Sequence, residues 1–128
     1  MQRSIVLTTD PLDVPALVAA GSRMEDMGAV IYFSGVVRRT ENGISISGIE
    51  YEAFSAMAQH QLNLIIDEIS ARWSVGSVRL VHRLGWVPTN ETSLWVEVIA
   101  PHRGESFLAC QFLIDEMKKR VPIWKKPI

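Results

Sequence analysis

The fold prediction starts from residues 28–51, which read GAVIYFSGVVRRTENGISISGIEY. The first part, residues 28–37, is rich in β-branched and aromatic side chains, which is typical of a buried strand. Residues 38–43 are polar and end in Asn42-Gly43, a strong turn signal. From Ile44 onward apolar and polar residues alternate, as they do in a strand with one buried face. We therefore predict a β-hairpin with a long, charged tip.

Strand and helix patterns also follow one another over the rest of the chain. Strands are predicted at residues 4–8, 75–84 and 92–100, with residues 85–91 as the turn between the last two. Helices are predicted from an Asp13 N-cap to Gly21, and over residues 54–73 and 105–120. The apolar face of the second helix is formed by Phe54, Ala58, Leu62, Ile65, Ile69 and Trp73. We expect an α+β fold, a mainly antiparallel sheet packed with helices, in a single domain over residues 1–128.

The composition is that of an ordinary globular protein. Of the 128 residues 48% are hydrophobic, which is enough to bury a core without disulfides or metals. The 13 basic residues nearly balance the 14 acidic ones, so broad binding to nucleic acid is not expected. No apolar run approaches the roughly 20 residues that span a bilayer, and the first residues enter a strand pattern that does not resemble a signal peptide. We therefore expect a cytoplasmic protein that binds neither nucleic acid nor membranes.

The sequence predicts no metal and no cofactor. Its three histidines and one cysteine show no ligand spacing such as Cys-x-x-Cys or His-Glu-x-x-His. Its isolated glycines form neither a phosphate loop nor a dinucleotide fingerprint. Cys110 has no second cysteine to pair with and falls on the apolar side of the last helix, so we expect a packed thiol and not a nucleophile.

Basic residues concentrate near the end of the sequence, in Lys118-Lys119-Arg120 and in Lys125-Lys126. Such a cluster either holds an anion and supplies an amine, or forms a solvated, sticky tail. The predicted apolar stripe of the last helix is Phe107, Cys110, Ile114, Met117 and Val121. Lys118 lies eleven residues after Phe107, so at about 100° per residue it projects only about 20° from that stripe. Burial there would lower the pKa of the amine, as a general base or nucleophile requires; alternatively, the stem lies on the core and the charge extends into water.

Two His-Arg pairs occur in this sequence. His102-Arg103 precedes the last helix, where backbone N–H groups and the helix dipole favour an anion and the guanidinium suits phosphate or carboxylate. His82-Arg83 lies inside a strand, so its side chains point to opposite faces, and we expect one of them to be buried or paired for structural reasons. Arg38 leaves a buried strand at the hairpin tip, where it is either a functional group or an ordinary surface cation.

Several segments together resemble the family of molybdopterin synthase catalytic (large) subunits. Each is weak alone, but they follow the family's order and spacing over nearly the whole chain from Gly28 onward, and the last one makes the combination specific. The segments are Gly28-Ala29 through Gly35-Val36-Val37-Arg38, Ile49-Glu50-Tyr51-Glu52-Ala53-Phe54 with Met57-Ala58, His82-Arg83-Leu84-Gly85, Pro101-His102-Arg103, and Ile114-Asp115 followed by Lys118 and Pro122-Ile123-Trp124-Lys125-Lys126.

This resemblance implies a sulfurtransferase that builds molybdopterin. Members of the family transfer sulfur to cyclic pyranopterin monophosphate and so form the dithiolene of molybdopterin. The sulfur arrives as a thiocarboxylate on the C-terminal Gly-Gly of a small ubiquitin-like sulfur-carrier subunit, whose tail enters a pocket of the large subunit. The assembly implied is a dimer of large subunits with one small subunit at each end, and the fold implied is of the α/β-hammerhead type.

The resemblance also implies roles for five residues. Lys118 matches the catalytic lysine of the family, and Lys125 matches its second active-site lysine. Arg38, His102 and Arg103 match residues that line the pocket for the substrate phosphate. These cations would hold the phosphate and neutralise the charge that develops as sulfur adds to carbon. Lys118 would move protons or attack the thiocarboxylate carbonyl.

Two departures from the family pattern leave alternatives open. Glu41 stands where the family usually has asparagine, and its carboxylate either weakens anion binding or points to solvent. Many members continue beyond the Trp-Lys-Lys segment with a tail that helps to complete the site, whereas this sequence stops at Ile128, which leaves open how its pocket closes. The alternative function is therefore a non-catalytic docking module for the small sulfur-carrier subunit. A basic-tail adaptor for nucleic acid or membrane is a third, with only the cationic cluster in its favour.

Overall fold

The computed structural model describes residues 1–21 and 24–128. Its strands are β1 (Gln2–Thr8), β2 (Ala29–Val36), β3 (Thr40–Glu41), β4 (Ile44–Ser45), β5 (Gly48–Ala53), β6 (Ser77–Arg83), β7 (Gly85–Pro88), β8 (Thr92–Ala100) and β9 (Ile123–Pro127). Its helices are α1 (Val14–Ala19), α2 (Ser55–Arg72) and α3 (Arg103–Arg120). The strands form a four-stranded sheet in the order β1-β6-β8-β2, a three-stranded sheet in the order β7-β5-β9, and the β3-β4 pair.

Most neighbouring strands in this fold run antiparallel. Among the described residues, β1 and β6 form the one parallel pair, with Gln2 opposite Ser77 and Thr8 opposite Arg83. The prediction of an α+β fold with a mainly antiparallel sheet is therefore confirmed. Within the same described ranges, no helix combines the length and the apolar character needed to cross a membrane.

The hydrophobic core lies where α2 and α3 pack against the four-stranded sheet. Alternate residues of the central strands point into this core, namely Val78 and Leu80 from β6 and Leu94, Val96 and Val98 from β8. The predicted apolar face of α2 is confirmed at four fully buried residues, Ala58, Leu62, Ile65 and Ile69. Phe54 is the exception: it precedes the helix, stays 66% exposed, and packs edge-on against Trp124 with ring centroids 4.9 Å apart.

The predicted hairpin over residues 28–51 is largely wrong. β2 pairs with β8, from Ala29 opposite Ala100 to Gly35 opposite Leu94, while β5 belongs to the other sheet. Strand β8 is buried on both faces, so pairing with it brings β2 next to the hydrophobic core. A long hairpin would not do so, because residues at its tip stay in solvent, as Ile44 does at 68% exposure. The Asn42-Gly43 turn is confirmed on a smaller scale, since β3 and β4 join through it with φ angles of 52° and 77°, the signs of a type I′ turn.

The three-stranded sheet corrects two further predictions. Residues 85–91 contain strand β7 and are not simply a turn, because β7 pairs with β5. This pairing depends on Gly48, since a Cβ at that position would lie 2.5 Å from the carbonyl oxygen of Val87. On the other side of β5, strand β9 holds Lys125 and Lys126 in the sheet, opposite Tyr51 and Glu50. The cationic segment is therefore a paired strand and not a solvated tail.

Helix α3 begins at Arg103, slightly earlier than predicted, and the predicted apolar stripe is confirmed in part, at Cys110, Met117 and Val121. The buried residues are Ser106, Ala109, Cys110, Leu113 and Met117. Phe107 is 60% exposed, because the small side chains of Ser106 and Ala109 let that side of the helix approach the sheet instead. The spacing between Phe107 and Lys118 puts both residues on the same side of the helix, and Lys118 is exposed as Phe107 is. The expected packed thiol of Cys110 is confirmed, since this residue is only 6% exposed.

The other face of the four-stranded sheet is tied to α1 by a charged pair. Arg79 donates hydrogen bonds of 2.7 and 2.8 Å to the carboxylate of Glu97, which is 2% exposed, and a third of 2.8 Å to the carbonyl oxygen of Leu17. The carboxylate raises the pKa of Arg79, so the guanidinium keeps its charge. The predicted N-cap of α1 is confirmed, because Asp13 Oδ1 accepts from the Ala16 N–H at 3.1 Å, although the helix ends at Ala19 and not at Gly21.

Candidate active site

A cavity of about 450 Å³ opens where one end of the four-stranded sheet meets the last turn of α3 and the three-stranded sheet. Apolar side chains form much of its wall, namely Phe33, Val36, Leu94, Ile114, Met117, Val121 and Ile123. Its polar lining consists of Tyr51, His82, Ser93, Lys118 and Lys125. The structure therefore brings together, at one cavity, the two lysines that the sequence singled out.

Lys118 stands at the rim of this cavity, in the last turn of α3. It also borders a neighbouring cavity of about 490 Å³, on the side of Phe107 and Asp115. Its side chain is exposed, so of the two alternatives that the sequence left open the structure excludes burial of the amine. In the part of the chain that the structure describes, no carboxylate forms an ion pair with its ammonium group. Lys118 is therefore a cation available to a ligand that enters the cavity.

Lys125 reaches the same cavity from β9 and is held by Glu41. Its Nζ lies 2.8 Å from Glu41 Oε1, and Glu41 Oε2 lies 3.7 Å from Arg38 Nη2. The hydrogen bond and the charge of Lys125, with a smaller contribution from Arg38, keep the pKa of Glu41 below its ordinary value. The Glu41 side chain is only 12% exposed. Of the two alternatives for this carboxylate, the structure excludes the one in which it points to solvent.

His102 and Arg103 lie together but far from the lysines. They stand at the start of α3, where the His102 side chain is 83% exposed and its Nδ1 lies 3.4 Å from Glu105 Oε1. From Arg103 to Lys118 the helix rises about 22 Å. Within one chain the structure thus brings Arg38, Lys118 and Lys125 to one region and leaves His102 and Arg103 outside it.

Three cavity residues, Tyr51, His82 and Ser93, were not predicted as site residues. The Tyr51 hydroxyl donates to Ser93 Oγ at 3.4 Å, and Ser93 Oγ donates to the carbonyl oxygen of Gly35 at 3.3 Å. His82 packs edge-on against Tyr51, with ring centroids 5.1 Å apart. The signal that the sequence offered was His82 itself, a polar residue at the end of an otherwise apolar strand face.

The expectation that one residue of the His82-Arg83 pair is buried or paired is confirmed, and it holds for both residues. His82 is 5% and Arg83 8% exposed. Arg83 Nη1 forms an ion pair of 2.6 Å with Glu91 on the sheet face away from the cavity. His82 Nδ1 hydrogen-bonds the carbonyl oxygen of Arg83 at 2.8 Å, and burial lowers the pKa of the imidazole. The ring is therefore held in one orientation and favoured in its neutral form.

A metal site does not emerge from this arrangement. Over residues 1–21 and 24–128, no group of three or more His, Cys, Asp or Glu side chains is placed to hold a metal ion. The ionic side chains that line the cavity are two lysines, which repel metal cations. The cavity is instead suited to an anionic organic molecule, with cations at its rim and an apolar wall.

Comparison with known proteins places these features in a family. The model of the MoaE protein family matches residues 7–120. A molybdopterin synthase catalytic subunit from Thermoplasma volcanium is 37% identical over 119 residues, which cover 93% of this chain and 84% of that protein. Molybdopterin synthase catalytic subunit 1 of Aedes aegypti is 41% identical over 121 residues, covering 94% and 77%. The crystal structure of molybdopterin synthase from Staphylococcus aureus superposes with a TM-score of 0.85 at 33% identity, covering 98% of this chain and 89% of that one.

The structural alignment covers 98% of this chain and so includes both sheets and the helices α1, α2 and α3. It confirms the family and the fold that the sequence motifs implied. On this evidence, the chain belongs to the MoaE protein family.

Proposed function

We propose that this chain is the catalytic subunit of a molybdopterin synthase and works as a sulfurtransferase. In this proposal it moves sulfur from the C-terminal thiocarboxylate of a small ubiquitin-like sulfur-carrier subunit to cyclic pyranopterin monophosphate, in the cytoplasm, and so forms the dithiolene of molybdopterin. The observation that carries the proposal is the convergence of Lys118 and Lys125 on one open, largely apolar cavity. At about 450 Å³ its volume lies in the usual range of small-molecule sites.

The charges at the rim suit these reactants. The pterin phosphate and the thiocarboxylate are both anions, and the cavity is lined by two cations, Lys118 and Lys125. A third cation, Arg38, lies near Lys125, because both contact the carboxylate of Glu41. A ligand seated against the apolar wall displaces water there, which strengthens its interactions with these cations. Cations held in place before the reaction stabilise the charge that develops as sulfur adds to carbon.

The two lysines are suited to different tasks. Lys125 is fixed by its hydrogen bond to Glu41, so it serves best as a stationary charge that orients an anion. Lys118 has no such carboxylate partner in the described ranges, and its stem extends from a rigid helix. It is therefore the residue that we assign to the reaction itself, either by moving protons or by attacking the thiocarboxylate carbonyl.

A second copy of the chain is part of the proposal, because His102 and Arg103 are too far from Lys118 to act with it in one chain. β2 is an edge strand of its sheet, and large apolar side chains stand exposed on it and on the first turns of α3: Tyr32, Phe33, Phe107 and Leu108. Joining two such surfaces would bury them and bring the start of α3 from one copy toward the cavity of the other. In this dimer each site takes its lysines from one chain and His102 and Arg103 from its partner.

One observation favours the alternative of a docking module that binds the small subunit without turnover. Glu41 already occupies Lys125, and an anionic reactant must compete with that carboxylate. The free ammonium of Lys118 and the open cavity favour the enzyme.

A reconstituted reaction tests the proposal. The purified chain is mixed with a thiocarboxylated small subunit and cyclic pyranopterin monophosphate, and the fluorescent oxidation product of molybdopterin is measured. Lys118→Ala should reduce the rate by about 10²-fold or more, because a group that takes part in the chemistry is lost. The matched control is Lys119→Ala, whose side chain is 70% exposed and bonded to Glu116 on the same helical turn.

The possible results separate the two functions. Product from the wild type and from Lys119→Ala, but not from Lys118→Ala, supports the enzyme and its assigned residue. Near-normal turnover by Lys118→Ala would overturn the assignment. Binding of the small subunit without any product from the wild-type chain would favour the docking module.

A further inference from the structure

One face of β6 turns from apolar to polar where it reaches the cavity. Val78 and Leu80 point into the hydrophobic core, and His82 is the next residue on that face, opposite Leu94. It is 5% exposed, so an imidazole fills a place where an aliphatic side chain would also pack. Burying a polar ring costs free energy unless its nitrogens find hydrogen-bond partners. The partners of these two nitrogens therefore indicate what the residue does.

One nitrogen of His82 is satisfied and the other is not. Nδ1 lies 2.8 Å from the carbonyl oxygen of Arg83. A carbonyl only accepts hydrogen bonds, so Nδ1 carries the proton, and in the neutral ring Nε2 presents its lone pair. Burial lowers the pKa of His82, which favours this neutral form. Within residues 1–21 and 24–128, Nε2 has no hydrogen-bond partner, and the ring lines the cavity.

The neighbours of His82 also present acceptors and not donors. The Ser93 hydroxyl donates to the Gly35 carbonyl, so its oxygen is left to accept from the Tyr51 hydroxyl. The proton of Tyr51 is therefore directed at Ser93, and its oxygen keeps a lone pair. The charged groups on the cavity are Lys118 and Lys125, both cations, so the cavity lining holds no carboxylate that would favour an imidazolium. A ligand that fits this cavity therefore has an N–H donor for the wall and an anionic group for the lysines at the rim.

We propose that His82 Nε2 accepts a hydrogen bond from an N–H group of the ligand whose anionic group meets Lys118 and Lys125, and that it thereby selects the ligand. This inference rests on the proposed function and names a further binding contact of the same site. Both reactants have the required chemistry: the Gly-Gly tail has an amide N–H beside its terminal anion, and the pterin phosphate has ring N–H groups. A bound molecule without such a donor covers Nε2 and leaves this acceptor unpaired, which is how a polar site rejects a close analogue.

Two amide substitutions distinguish the contribution of Nδ1 from that of Nε2 in His82. In His82→Asn the amide N–H stands near the position of Nδ1 and keeps the bond to the Arg83 carbonyl, but nothing replaces Nε2. In His82→Gln the longer side chain places its amide oxygen near Nε2 and restores an acceptor. Calorimetric titration of wild type and both variants, with cyclic pyranopterin monophosphate in one arm and a synthetic peptide ending in Gly-Gly carboxylate in the other, measures the Kd values.

We expect His82→Asn to raise Kd about tenfold in one arm, with less than a twofold change in the other, and His82→Gln to recover most of the loss. The affected arm identifies which reactant lies against His82. Unchanged Kd values in both arms for a folded His82→Asn chain would overturn the inference. So would equal losses in both arms accompanied by a lowered Tm, since His82 would then only support the wall. Failure of the wild type to bind either probe would instead overturn the proposed function.

Discussion

The two ends of α3 carry the same kind of chemistry in different surroundings. At the last turn, Lys118 borders a cavity with an apolar wall, a second lysine and a buried histidine. At the first turn, about 22 Å away, His102 and Arg103 stand in solvent beside Glu105. The helix thus separates residues that the sequence motifs had assigned to one pocket. In the dimer that we propose, each chain holds two incomplete halves of the site, and the partner chain joins them.

The strongest test of this comparison mixes two defective chains. Lys118→Ala and Arg103→Ala should each lower turnover by about 10²-fold, because each removes one half of every site. Dissociated and mixed in equal amounts, they should recover about a quarter of wild-type activity, since half of the dimers are mixed and each of these has one intact site. The rate of molybdopterin formation before and after mixing is the measurement.

The control for this experiment is a mixture of Lys118→Ala with Lys125→Ala. Both of these substitutions fall on the cavity side of the same chain, so their mixed dimers contain no intact site. Recovery of activity in this control would show that the two ends of α3 do not meet in a shared site. So would a lack of recovery in the mixture of Lys118→Ala with Arg103→Ala.

A smaller effect is expected from Glu41, the carboxylate at the cavity end. Glu41→Gln should lower the KM for cyclic pyranopterin monophosphate about two- to fivefold, because Lys125 no longer has a competing anion, and added salt should reduce the difference. Initial rates at low and high salt give the KM values.

Asp67→Asn is a matched control for the charge change, because Asp67 forms an ion pair of the same length, 2.8 Å, with Arg3. An increase in KM for Glu41→Gln would mean that this carboxylate positions Lys125 and does not block it.

The smallest expected effect is on the pH dependence of stability, and it is tested by comparing two histidines, one near each end of α3. Burial lowers the pKa of His82, so the unfolded chain takes up its proton at a higher pH than the folded chain does. The resulting contribution to stability is present above the unfolded pKa of about 6.5 and is lost as the pH falls below it, by at most about 1.4 kcal/mol per pH unit. Urea unfolding at pH 7.5 and 5.5 should show a smaller loss for His82→Gln than for wild type.

His102→Gln is the counterpart at the solvent end, because its side chain is 83% exposed. It should leave the pH dependence of the unfolding free energy close to that of wild type. Equal behaviour of the two variants would contradict the role assigned to burial.

Local features of the fold were predictable from the sequence because their causes are local. The buried face of α2 follows from helical spacing. The turn at Asn42-Gly43 forms because these residues tolerate positive φ. The cap at Asp13 forms because its short side chain accepts a hydrogen bond from a backbone N–H. Strand pairing was not predictable in this way. The partner of β2 is β8, far along the chain, and the choice depends on how much apolar surface the whole sheet buries.

The candidate site was predictable in its cations but not in its geometry. Motifs placed Lys118 and Lys125 correctly at one cavity, yet no local pattern shows that α3 directs Ser106 and Ala109 to the sheet and Phe107 to solvent. The same limit applies to His82. A polar residue in a strand has many structural explanations, and only the free nitrogen beside a cavity singles it out.

The packing of Cys110 affects which group can accept sulfur in the proposed reaction. It is the one cysteine of the sequence, it lies buried on α3, and burial raises the pKa of its thiol. Because the thiolate is the nucleophilic form of cysteine, the raised pKa favours the less reactive protonated thiol. In the proposed reaction, this thiol therefore competes poorly for the sulfur of a thiocarboxylate. The molecule bound in the cavity is then the favoured acceptor of the transferred atom.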